Sequence, residues 1–316
     1  MDNRHMDKRK ALSVFLGALY GLVFRLFAER EDFDSYISVD SVTFLTIVPI
    51  VIGIIPVLLL RPARSLMLMN FCLPLLSVML FFLVAFSSGL EDIVCLLILG
   101  FPYFLIAGLT GLLTGAIARY LHNRKTMLVL LLPFATGPIE KKLPSPSGQY
   151  TVWSEVVIHQ PDSVVWSAIL SVPELTEHEF NEGFFNRIGV PRPVRSVLYD
   201  SCGRLYRKGY FTDGLMFNEA VDIVEPLRHA RFLIDLKSSH LRNKPLDKHI
   251  LRNSSFRFGA ISYRILPLSA GSVRLQLECE YELSTKMNAY ADFWASRVIR
   301  DFEERLLQAI RAKLLH

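Results

Sequence analysis

Apolar and polar positions follow one rule before about residue 136 and another beyond about residue 150. In the first part apolar residues come in long unbroken runs, at 11–28, 42–60, 66–86 and 93–121. Each is close to the roughly 20 residues that carry a helix across a bilayer core, so the pattern predicts an all-α transmembrane four-helix region. Pro49, Pro56, Pro74 and Pro102 fall inside the runs; neighbouring helices in a membrane bundle can satisfy the carbonyls they free. Residues 127–135 are apolar but too few to cross, and read as interfacial or re-entrant. The Pro-, Ser- and Gly-rich stretch 137–149 reads as a linker.

Beyond it the period becomes two. Strands are predicted at 151–159, 194–199, 204–211, 217–225, 231–236, 254–267 and 273–283, with turns at Gly203, Asp213-Gly214, Pro226 and Ala270-Gly271. Pro161 and Asp162 open a helix over 164–170, and a second short helix is expected at 177–186. The chain closes with a long helix, 288–314. Tyr290, Trp294, Val298, Phe302, Leu306, Ile310 and Leu314 form its apolar stripe, while Arg300, Glu303, Glu304 and Arg311 are assigned to its other face. The predicted organisation is a membrane region (1–136), a linker (137–149) and an α+β domain (150–316) in which a curved antiparallel sheet wraps the last helix. A helix covers only part of a concave sheet, and the gap left is a natural pocket for an apolar ligand.

Composition sharpens the membrane assignment. Hydrophobic residues make up 51% and charged residues only 21% of the chain, below the roughly 25% usual for soluble proteins. The loop charges agree on one orientation: Arg4, Lys8, Arg9, Lys10, Arg61, Arg64, Arg119, Arg124 and Lys125 fall on one side. Arg30 stands opposite, amid Glu29, Glu31, Asp32, Asp34, Asp40, Glu91 and Asp92. Basic loops stay cytoplasmic, so the N-terminus and the C-terminal domain are both expected on that side of a cell membrane. Arg25, near a span end, is expected to snorkel to the headgroups. Gly17-x-x-x-Gly21 and Gly111-x-x-x-Gly115 permit close helix approach, within the bundle or between copies in a homo-oligomer. The net charge of +5 is too weak to suggest nucleic acid. Cys72, Cys95, Cys202 and Cys279 show no disulfide or metal spacing.

Candidate chemistry is sparse. No HExxH, GxSxG, GxGxxG or GxxxxGK[ST] motif occurs, and the histidines are scattered, so neither a metal nor a cofactor is expected. Arg207, Tyr210, Asn218, Glu219 and His178 are the polar candidates for the concave side, with Trp294 at its mouth. Arg207 and Glu219, on adjacent predicted strands, could orient a polar head or act as base and acid; a structural ion pair or a solvent-facing placement is the simpler reading. The stretch 237–253 carries Lys237, Arg242, Lys244, Lys248 and Arg252 against Asp247 alone, a candidate contact for anionic headgroups or a solvated loop.

Residues 152–159 with Pro161, Val165 and Trp166, then Phe185-x-x-Ile188-Gly189-Val190-Pro191-Arg192-Pro193, Gly203-Arg204 through Arg207, Phe211, Gly214, Glu219, Val221 and Tyr290-x-x-x-Trp294, resemble the START-like helix-grip superfamily, often called SRPBCC. The resemblance covers roughly 150–316 and extends to bacterial members that carry this domain after several membrane helices. It implies a helix-grip fold and a cavity for an apolar or lipid-like molecule, with membrane lipids as neighbours. Because that superfamily spans binders, lipid carriers and polyketide cyclase-like enzymes, it leaves three possibilities. Membrane-tethered binding is favoured; a cyclase or aromatase, or a structural or signalling protein without a ligand, are the alternatives.

Overall fold

A computed structural model describes residues 3–30, 37–60, 67–117, 124–176, 178–251, 254–269 and 271–315. Arg61, Arg64, Arg119, Glu31, Asp32, Asp34 and Arg252, used above for charge, lie outside the described residues. The chain divides into two compact units, Met1–Ser145 and Pro146–His316.

The first unit is helical: α1 (Asn3–Glu29), α2 (Val48–Leu59) preceded by a wide turn at Thr43–Ile47, α3 (Met67–Ser87), α4 (Ile93–Ile117) and α5 (Leu132–Lys142), which follows a tight turn at Arg124–Leu131. Three helices, Met6–Glu29, Met67–Ser87 and Ile93–Ile117, are long and apolar enough to cross a membrane, whereas the apolar helix Thr43–Leu59 is shorter. Among the described residues three helices, not four, reach that length. Proline explains the irregular start of the shorter one. Pro49 lacks an N–H, the Val48 N–H reaches back to Thr43 O, and the Phe44 carbonyl freed by the wide turn accepts from the Tyr103 hydroxyl at 2.9 Å.

Both glycine pairs serve packing inside this unit. A Cβ on Gly17 would stand 2.7 Å from Ser77 Oγ, one on Gly21 would press on Ile52 and Phe81, and side chains at Gly111 or Gly115 would collide with Asn70. Arg25 does not snorkel. It is 1% exposed, donates from Nε to Glu91 Oε1 at 2.5 Å and from Nη2 to Leu90 O at 2.6 Å, because a paired and hydrogen-bonded guanidinium can be buried where a lone one cannot. The expected linker is partly helix: α5 runs through Gly137 and Pro138, and its Glu140 carboxylate accepts from the Val42 and Thr43 N–H groups at 2.7 Å each, filling donors that a helix start leaves open.

The second unit is a single seven-stranded antiparallel sheet in the order β1-β7-β6-β5-β4-β3-β2. The strands are β1 (Gly148–Ile158), β2 (Pro193–Ser201), β3 (Arg204–Phe211), β4 (Met216–Glu225), β5 (His229–His240), β6 (Phe256–Ser269) and β7 (Ser272–Leu283), with helices α6 (Asp162–Leu170), α7 (Phe184–Arg187) and α8 (Asn288–Leu315). The meander and the long last helix are as the alternation predicts. The helix expected at 177–186 shrinks to the four residues of α7. The Thr176 N–H and hydroxyl bind Glu179 instead, holding a turn there. A bulge between Phe258 and Ile261 shifts the β6–β7 register, and such bulges bend and twist a strand.

Along α8 the packing changes. Leu306, Leu307, Ala309 and Ile310 are fully buried in the core, against Val156, Ile158, Val165, Ile169, Val273 and Leu275. Ala291, Ala295 and Ile299, about two to four turns earlier, touch a smaller cluster of Val152, Tyr281 and Leu283 and stay partly exposed. Side chains of α8 are thus fully buried toward its C-terminal end and only partly buried toward its start.

Candidate functional site

The pleat decides which side chains reach the concave face. On β7, Leu275, Leu277, Cys279 and Tyr281 are buried, alternating with half-buried neighbours. On β1, Val152, Ser154, Val156 and Ile158 are buried and their neighbours exposed. On β3 and β4, Arg207 stands directly opposite Glu219, and Gly209 opposite Phe217.

Arg207 and Glu219 are 5% and 3% exposed. Arg207 Nε donates to Glu219 Oε2 at 2.5 Å and Nη1 to Ile169 O at 2.8 Å. The second bond satisfies a carbonyl at the end of α6 that has no helical partner, where positive charge also suits the helix dipole. The guanidinium lies 3.6 Å over the Phe232 ring. The solvent-facing alternative is thus excluded. This is an interior ion pair, wedged into the packed end of the domain.

The other candidates do not join it. Tyr210 is one pleat position away from Gly209 and turns to the convex face, where Arg195 lies 4.9 Å over its ring. Asn218 likewise faces outward, accepting from the Tyr199 hydroxyl and donating to Ser238. His178 is exposed in the turn after Thr176. Trp294 is half-buried on the first half of α8. The stretch 237–253 is also less free than its charges suggest. Arg242 and Asp247 are buried and paired at 2.6 Å, and Lys244 binds Asp213 at 2.6 Å.

Sequence reasoning missed one group. Glu303, assigned there to the solvent face, is 1% exposed. Its Oε2 accepts from Ser154 Oγ at 2.9 Å, and its Oε1 has no partner. Among the described residues no cation bonds to it. Burial pushes its carboxyl up to about 8, against a lowering by the Ser154 hydroxyl and Arg300, so the acid holds its proton at neutral pH. Nearby Tyr263 is pushed up to about 12, chiefly by burial, and burial also raises the Cys279 thiol. The interior around Glu303 therefore offers neutral hydroxyl, thiol and carboxyl groups, with the Arg207–Glu219 pair near Tyr263.

Around the loose end of α8 the concave wall is aromatic. Phe211 lies against Phe217 at 5.2 Å and reaches Phe302 of α8 at 6.1 Å, while Phe258 bridges Phe217 and Phe256. Phe211, Phe256, Phe258 and Phe302 remain half-buried. A polar groove of about 620 Å³ runs beside α8 and reaches Ser154; it is lined by β1 residues Trp153, Ser154 and Glu155 and by Glu179, Arg300 and Glu304 among others.

No family model matches the chain, and no curated protein matches it. Among solved structures, an aromatase/cyclase from Streptomyces sp. R1128 is similar at 13% identity, covering 53% of this chain and 94% of that one, with a TM-score of 0.34. A START superfamily protein from Mycobacterium smegmatis aligns at 12% identity over 54% of this chain and 100% of that chain, again at 0.34. Norcoclaurine synthase from Thalictrum flavum, in complex with dopamine and hydroxybenzaldehyde, aligns at 12% identity over 54% and 87%, also at 0.34. At such low identity and TM-score these likenesses say nothing about chemistry.

Proposed function

We propose that the C-terminal domain binds an apolar or lipid-like small molecule between the aromatic concave wall and the loosely packed half of α8, and that the apolar helices keep it at a membrane. One observation carries this reading. Inward-facing apolar side chains at Ala295, Ile299, Phe211 and Phe258 are left partly exposed, whereas Leu306, Leu307, Ala309 and Ile310 further along α8 are buried in the main core. Contiguous apolar surface that folding does not bury marks a binding site. A ligand that partitions into lipid also gains from a receptor held beside it.

Native mass spectrometry of the full chain in detergent, followed by extraction, tests the proposal. A stoichiometric apolar molecule is expected, lost in Ala295→Trp without loss of the folded state. Protein that is reproducibly empty, and that no lipid class stabilises against heat, would overturn the reading. Orientation has its own test. Cys202 is the exposed cysteine, so a membrane-impermeant maleimide should miss it in intact cells and label it after lysis if the domain is cytoplasmic.

A second reading, acid–base chemistry on a polyketide-like substrate, draws support from the protonated Glu303. It stands behind binding because the potential base, Glu219, is neutralised by Arg207.

A further inference from the structure

The interior holds two hydroxyl-type protons in one pair, on Ser154 and on the neutral Glu303, and a single hydrogen bond of 2.9 Å between them. Whichever oxygen donates in that bond, no acceptor for the other O–H is found among the described residues, where Glu303 Oε1 is buried without a partner. A buried donor left unmade is costly, and native interiors rarely keep one without a use. Its position suggests the use. Helical side chains lean toward the N-terminus of their helix, so the Glu303 carboxyl leans toward Ile299, one turn back, where the packing loosens. Phe302 beside it closes on Phe211. Ser154 is the polar member of an otherwise aliphatic inward row on β1, with Val152, Val156 and Ile158.

We propose that Glu303 and Ser154 seat the head of the ligand, and that this head is a neutral oxygen acceptor: the hydroxyl, ketone or ester carbonyl of a long-chain molecule. The inference rests on the binding reading above and narrows it. A carboxylate or phosphate head is selected against, because the interior cation Arg207 is already neutralised by Glu219 and an added anion would lie uncompensated beside an acid.

The test incubates the full chain in detergent, at neutral pH, with an equimolar mixture of hexadecanol, methyl hexadecanoate and hexadecanoate, and reads the adducts by native mass spectrometry. Wild type should retain the alcohol and the ester about tenfold over the carboxylate, the worth of one good hydrogen bond. Glu303→Gln, which keeps a neutral donor, should preserve that preference. Glu303→Leu should erase it while still binding a chain. Ser154→Ala serves as the second variant should the leucine disturb folding, and should weaken the preference. Wild type binding all three alike, or Glu303→Leu discriminating as wild type does, overturns the head seat and leaves the apolar site standing. Wild type binding none of the three overturns both.

Discussion

Glu219 and Glu303 are both buried acids on the inner side of one domain, yet they are held in opposite ways. Glu219 has a guanidinium at 2.5 Å, itself fixed by the Ile169 carbonyl and the Phe232 ring. Glu303 has one serine hydroxyl. The first can stay charged because its charge is cancelled; the second stays buried by remaining protonated. An ion pair so enclosed is a structural joint between α6, β3 and β4. A lone neutral acid has hydrogen-bonding capacity to spare.

The largest effect should come from unbalancing the joint. Arg207→Leu leaves Glu219 uncompensated and should destabilise the domain by about 3 to 5 kcal/mol in denaturant melts of the full chain, with Glu219→Leu on top restoring much of the loss. Next is the pH dependence of Glu303. Its carboxyl sits near 8 in the folded domain and at the ordinary 4.5 when unfolded, so between those values the folded state holds one proton more. Stability should therefore be fully present below 4.5, fall as pH rises to about 8, and then level off. Glu303→Gln should remove that slope and make the protein more stable than wild type at pH 7, by on the order of 3 kcal/mol. A wild-type profile that is flat through this window would show that Glu303 and Glu219 do not differ as described. Smallest is Ser154→Ala, which removes the partner of Glu303 and should cost about 1 kcal/mol, measured in the same melts.

Much of the fold was legible because its physics is local. Alternation located every strand, β3 to the residue, and apolar runs located α1 to α4 of the first unit. Parity could have gone further. Arg207 and Tyr210 are three positions apart, and Asn218 and Glu219 adjacent, so in a pleated strand neither pair can share a face; the even partners of Arg207 and Glu219 were Gly209 and Phe217. Glu303 escaped because a stripe spaced strictly by four follows Phe302 to Leu306. The buried positions drift, and Glu303 lies one turn beyond Ile299 and one turn before Leu307, both apolar. The helix through Gly137 and Pro138 was hidden by residues that usually end helices; the carboxylate of Glu140, bound far away in sequence, is not a local signal. Nor was the pairing that buries Arg25, since Glu91 lies in a different connection.

The sheet order carries a consequence for synthesis. β1 pairs only with β7, so the strand that leaves the ribosome first among the seven must wait for the last. Through that interval Val152, Val156 and Ile158 have neither a neighbouring strand nor α8 to cover them. Long-range closure of this kind folds slowly and leaves apolar strands open to misassociation. Truncation before Ser272 should thus yield an aggregating chain rather than a smaller domain, and a nascent chain stalled there should be held by chaperones until the remaining residues emerge.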